Sequence, residues 1–116
     1  MALINRTTGE VLAKQVRLCD TFWKRLRGLM FRRSPAPEET YLFACRRESV
    51  ADASIHMLFV FYPISVVWLD AHKHVVDVAL AKPFRPYYAP RRAAQYFVEG
   101  VPALLHRVQV GDVLEF

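Results

Sequence analysis

The 116-residue sequence contains few cysteines and glycines and no segment long enough to cross a membrane as a helix. Its two cysteines, Cys19 and Cys45, make no disulfide framework and lack the CxxC spacing of a zinc site, so reduced thiols are predicted. Four glycines are too few for a phosphate-cradling loop, and neither a nucleotide-binding fingerprint nor a nucleophile motif is present. The start, MALINRTTGEVLAKQ, lacks the basic and apolar regions of a secretory signal, which predicts a cytoplasmic protein.

The main apolar stretch, Ile55–Leu69, has 15 residues without a formal charge, apart from a protonated His56. A transmembrane helix needs roughly 18 to 20 apolar residues. Pro63 divides the stretch, and Val, Ile and aromatic residues dominate it, which favours two buried strands. We therefore expect a piece of core with four residues on one inner face: Met57, Phe59, Val67 and Leu69.

Alternating apolar residues and frequent turn residues predict a mostly β protein formed by a single domain, residues 1–116. The predicted architecture is an antiparallel β-sandwich or flattened barrel with one short N-terminal helix. A hairpin with its turn at Thr8-Gly9 comes first. The helix signal is CDTFWKRLRGLM, which predicts a short helix that closes near Arg27, because Gly28 suits the position after a helix end. Strands are predicted at YLFAC, IHMLFVF, ISVVWL, HVVDVALA and AAQYFVE, and turns at RRESVADA, DAHK and VGD. A helical turn at LLHR and a closing strand complete the chain.

Three motifs, in order, resemble the prokaryotic domain-of-unknown-function family 192. The first is Arg-x-x-Gly-Leu-Met at the end of the predicted helix, residues 25–30. The second is a His-Met-led aromatic strand, a proline and two hydrophobic pairs ending in Leu-Asp, residues 56–70. The third is AAQYFVE followed by a Val-Gly-Asp turn at 110–112. The resemblance covers about residues 12–116.

The resemblance implies a jelly-roll-like β fold but no established activity, cofactor or partner. The chain departs from the family pattern at two places. Ser65 stands where many members carry Asp, which argues against a mechanism that needs a carboxylate there. Gly-Val-Pro-Ala, instead of Leu-Pro-Ala-Gly, follows Glu99.

The positive charge is concentrated in the N-terminal third. Residues 1–37 contain eight Lys or Arg against two acids, whereas residues 38–116 contain eight against nine. The basic segment KRLRGLMFRR, residues 24–33, could make the protein an adaptor for nucleic acid or an anionic membrane. The alternative is an ordinary solvated face.

The best binding candidate is KPFRPYYAPRR, residues 82–92, because it interleaves cations with aromatic rings. Three prolines stiffen it and exclude a central strand or helix. We predict a non-enzymatic binding module for a small anionic or saccharide-like ligand or a peptide, as a monomer without cofactor or metal. Its predicted binding residues are Lys82, Arg85, Tyr87, Tyr88 and His56. The alternative is a covering loop whose arginines pair with local acids.

A second hypothesis is a small hydrolase that uses His56 with Asp70 or Glu99. A carboxylate pair for such a reaction must lie within about 5 to 9.5 Å. Asp70, His72 and His74 alternate and could hold a metal on a regular strand, but a turn at DAHK would splay them. Asp112 is expected to accept backbone N–H bonds in its turn.

Overall fold

The computed structural model describes residues 2–19, 40–56, 62–83, 85 and 87–116, apart from the side chains of Cys19 and His56. The described part is mostly β, as predicted. Its elements are β1 (Leu3–Asn5), β2 (Glu10–Ala13), β3 (Arg17–Cys19), β4 (Tyr41–Ser49), β5 (Ile55–His56), β6 (Ile64–Leu69), β7 (Val75–Ala81), β8 (Tyr87–Tyr88), β9 (Ala94–Gly100), a 3-10 helix (Pro102–Arg107) and β10 (Leu114–Glu115).

A three-stranded sheet, in the order β10-β1-β2, brings the two ends of the chain together. The predicted first hairpin is confirmed: β1 and β2 are antiparallel, and Gly9 has the positive φ of +79° that its turn requires. The predicted closing strand is confirmed as well, since β10 pairs with β1. The predicted LLHR turn lies in the 3-10 helix.

A five-stranded sheet, in the order β3-β4-β9-β6-β7, forms the centre of the fold. Its neighbours are antiparallel except β3 and β4, which pair in parallel. Every residue of β6 is buried, because both faces of this strand are covered. Val67 and Leu69 are buried as predicted, whereas Met57 and Phe59 lie outside the described residues.

The two faces of this sheet carry different side chains. On the aromatic face, Trp68, Tyr41, Phe43 and Phe97 cluster with β5 and β8, and the rings of Phe43 and Phe97 stack with centroids 4.7 Å apart. On the aliphatic face, valines and leucines of the sheet pack against the three-stranded sheet and the 3-10 helix. Each face buries enough apolar surface to explain why β6 reads as a continuous hydrophobic run.

The turn between β6 and β7 is the predicted DAHK turn. Lys73 has φ 66°, and the Asp70 carboxylate accepts the backbone N–H of both His72 and His74. The Asp70 side chain therefore supports the turn.

Two predictions about the fold are wrong for the described residues, and others fall on residues outside them. RRESVADA is a turn only from Val50, because β4 continues through Ser49 and pairs again with Ala94 beyond a register irregularity. The described strands do not close into a barrel, so the flattened-barrel alternative is wrong for them. The finer sandwich or jelly-roll assignment stays a prediction. The predicted helix from Asp20 onward and the basic segment 24–33 lie outside the described residues.

No helix in the described ranges has the length and apolar character that crossing a membrane would require.

Candidate anion-binding surface

The 82–92 segment leaves the end of β7 and passes over the aromatic face of the central sheet. Among its described residues, the regular piece is β8, which pairs with β5 so that Tyr88 lies opposite Ile55 and Tyr87 opposite His56. Pro83 and Pro90, which have no N–H to donate to a ladder, lie outside the strands. The segment therefore has an inner side on the core and an outer side in solvent.

Tyr88 faces inward. Its side chain belongs to the aromatic core with 8% exposure, and its hydroxyl accepts the backbone N–H of Lys82 at 2.8 Å. The guanidinium of Arg85 lies over the ring, with Cζ 4.7 Å from the centroid. A cation over a tyrosine face is held by the ring quadrupole. Tyr88 thus supports the backbone at Lys82 and positions Arg85.

Tyr87 faces outward, because successive residues of a strand point to opposite sides. It is 57% exposed, and its hydroxyl donates to the Ser54 hydroxyl at 2.8 Å. Lys82 and Arg85 therefore both contact Tyr88. Tyr87 lies on the outer face of β8. Tyr87 and Tyr88 cannot both line one pocket with their rings.

The segment carries four cations, Lys82, Arg85, Arg91 and Arg92, and all four side chains are exposed. The side-chain ion pairs found among the described residues are Arg47–Asp52, His74–Asp70 and Arg107–Glu10. Within these ranges, no acid neutralises any of the four cations. The positive charge of the segment is therefore presented to solvent.

The returning half of the segment is anchored by an acid of β7. Asp77 accepts the backbone N–H of Arg91 at 3.1 Å and that of Val78 at 2.9 Å. The Asp77 carboxylate thereby fixes the path of the chain while the Arg91 side chain points to solvent. Asp77 and Ser54 were not predicted as site residues, and no local sequence signal marks them, because each contact joins residues distant along the chain.

The residues of the hydrolase hypothesis lie at different places. Glu99 is 5% exposed and lies in β9 opposite Tyr41 and Val66. Asp70 follows β6, four residues beyond Val66, which is about 13 Å along a strand. The backbones of the two acids therefore lie well apart in the sheet, and the pairing of either acid with His56 stays a prediction. The backbone of His56 pairs with Tyr87, and its side chain lies outside the described set.

The residues considered as possible metal ligands, Asp70, His72 and His74, lie in the DAHK turn. The rings of His72 and His74 are 6.4 Å apart, and Nδ1 of His74 lies 3.6 Å from the Asp70 carboxylate. Across the described part of the chain, no three His, Cys, Asp or Glu side chains converge as metal ligands would. Asp112 behaves as predicted and accepts the backbone N–H of Gln109 at 2.9 Å.

A shallow depression of about 290 Å³ lies on the three-stranded sheet, lined by Arg6, Thr7 and Val113. The Thr7 hydroxyl already accepts the N–H of Val113 at 2.9 Å. The depression therefore offers one cation, against four on the 82–92 segment.

Comparison with known proteins finds relatives that match nearly the whole of this chain. A UPF0127 protein of Pyrococcus furiosus is 40% identical over 116 residues, covering 98% of this chain and 97% of the relative. A UPF0127 protein of Thermococcus kodakarensis is also 40% identical, covering 98% of this chain and 72% of the relative. A solved structure, of a protein of unknown function from Novosphingobium aromaticivorans, superposes with a TM-score of 0.83 at 21% identity. That superposition covers 100% of this chain and 84% of the other.

The similarity to the solved structure shows that the two proteins share a fold. The family model described as "Uncharacterized ACR" and named DUF192 matches residues 3–116, which include the motifs that suggested it. The chain therefore belongs to the DUF192 family of uncharacterised proteins.

Proposed function

We propose that the protein is a binding module that holds an anionic ligand on the outer surface of the 82–92 segment. The observation that supports this most directly is the charge of that surface: four exposed cations, none neutralised by an acid within the described ranges. Exposed cations that support the fold through ion pairs would instead have acids beside them, as Arg47 and Arg107 have.

The rigidity of the segment also supports binding. The Tyr88 hydroxyl, the Asp77 carboxylate and the ladder between β5 and β8 fix its backbone at three points. A surface that is ordered before binding loses little conformational entropy when a ligand arrives. Arg85 gains further from its tyrosine, because a guanidinium stacked on a ring keeps its N–H edge available for a bidentate anion contact.

Inorganic pyrophosphate is a suitable probe, because it offers a compact anion to these guanidinium groups. Titration followed by amide chemical shifts should move the signals of Arg85 and Tyr87. Arg85→Gln should weaken binding about tenfold, the usual loss for one charge-assisted hydrogen bond, and should leave the melting temperature nearly unchanged.

Arg47→Gln is the matched control, since this arginine is also an exposed cation, with 77% side-chain exposure, and lies on β4. Equal losses in the two variants, or shifts confined to residues outside the 82–92 segment, would refute the proposal. The cytoplasmic location and monomeric state expected from the sequence stay predictions, as does the hydrolase hypothesis with His56.

A further inference from the structure

We infer that the 82–92 surface accepts an extended single-stranded nucleic acid rather than a compact anion, an inference that rests on the proposed function. Three features of the segment support it: the distance over which its cations are spread, the exposed ring of Tyr87, and the contrast between its charge and that of its surroundings.

The spread of the cations follows from the register of β7. Lys82 comes directly after the last residue of this strand, whereas the backbone of Arg91 is bonded to Asp77, five residues earlier. Five residues of strand span about 17 Å. One small anion cannot contact both ends of such a row, but consecutive phosphates along one strand can. The surface therefore matches a repeated charge.

Tyr87 supplies a feature that a purely electrostatic surface lacks. Its hydroxyl is fixed by Ser54 and its backbone by the ladder with β5, so the exposed ring is held in one orientation. An ordered tyrosine next to cations is the arrangement on which unpaired bases stack in proteins that bind single strands. An acidic peptide would gain much less from this ring, which is why nucleic acid is favoured.

The surrounding charge makes the segment stand out. Residues 82–92 contain four cations and no acid, whereas the rest of residues 38–116 contains four Lys or Arg and nine acids. Within this part of the sequence, the positive charge that would attract a polyanion is concentrated in the 82–92 segment. Such a contrast guides a charged strand to a defined position.

Fluorescence anisotropy with a labelled oligothymidylate of about twelve nucleotides, measured over a salt series, tests the inference. Lys82→Gln and Arg91→Gln should each weaken binding several-fold. Each should also reduce the magnitude of the log–log salt slope by about 0.7, the value for one phosphate contact of a single strand. Tyr87→Leu should weaken binding about tenfold with the salt slope unchanged, because stacking releases no counterions.

Arg17→Gln is the control: Arg17 is exposed on β3, the opposite edge of the same sheet. If it weakens binding as much as Lys82→Gln, the nucleic acid binds elsewhere and the inference fails. Binding of polyglutamate but not of oligothymidylate, with the same variant effects, would assign the surface to acidic polypeptides and overturn the inference. A third outcome separates the two proposals: Arg85→Gln weakens pyrophosphate binding, but Lys82→Gln and Arg91→Gln leave oligothymidylate binding unchanged. That result would overturn the inference and leave the proposed function standing. Failure of both probes would refute both.

Discussion

Replacing Asn5 tests how the two ends of the chain are joined. This side chain is fully buried, and its amide donates to the Asp112 carboxylate at 2.8 Å and to the Arg107 carbonyl at 3.1 Å. Asn5→Ala removes both bonds and leaves Asp112, a residue only 8% exposed, without this donor. It also removes the Oδ1 that accepts the N–H groups of Thr7 and Thr8 at 3.1 and 3.4 Å, but both of these residues are exposed, so water can replace that acceptor. The charged bond is worth about 2 kcal/mol and the neutral one about 1 kcal/mol. The expected loss in the free energy of unfolding is therefore about 3 kcal/mol.

Urea denaturation followed by circular dichroism measures this loss as a lower midpoint at unchanged m-value. Thr8→Ala, in the same turn, is the control: it removes only an exposed 3.3 Å bond to the N–H of Glu10, so less than about 1 kcal/mol is expected. If Asn5→Ala costs no more than Thr8→Ala, the reasoning is refuted.

Three further predictions concern other parts of the fold. Tyr88→Phe should lower stability by about 1 kcal/mol in thermal denaturation, because the part-buried N–H of Lys82 loses its acceptor; no change would show that water replaces it. Cys45 is present as a thiol, and the sequence predicts that Cys19 is reduced as well, because two cysteines make no disulfide framework. Rapid alkylation should therefore label both cysteines on unfolding, and an intact mass short of two hydrogens would contradict this. Ser65→Ala should be neutral or slightly stabilising in urea denaturation, because the hydroxyl is buried without a hydrogen-bond partner in the described part of the protein; a loss above about 1 kcal/mol would reveal one.

Local pattern predicted those parts of the fold that depend on near neighbours. The Asp70–Lys73 turn and the strand that returns from it follow from turn chemistry and alternation, both of which act over a few residues. The parallel pairing of β3 with β4 has no such signal, because it joins residues more than twenty positions apart. The polar end of β4, Arg46–Ser49, was mistaken for a turn because exposed strand residues read like loop residues until a partner strand is known.

The same limit applies to the candidate site. Prolines and interleaved charges identified the 82–92 segment, since these are properties of the segment itself. Which tyrosine faces the core depends on the register of β8 against β5, which comes from distant residues. The sequence therefore predicted Tyr87 and Tyr88 as members of one binding site. In the structure, Tyr87 is exposed to solvent and Tyr88 packs in the core.

The pairing of β1 with β10 has a consequence for the order in which the molecule is assembled. Ile4 lies opposite Glu115, so β1 pairs with a strand that follows it at a very large separation along the chain. Contacts between residues so far apart in sequence require a large loop to close, and proteins rich in them reach the native state slowly. Until β10 arrives, one edge of the early hairpin has unpaired backbone groups and can pair with another chain. The open edge of β1 is therefore most prone to such pairing while β10 is still out of place.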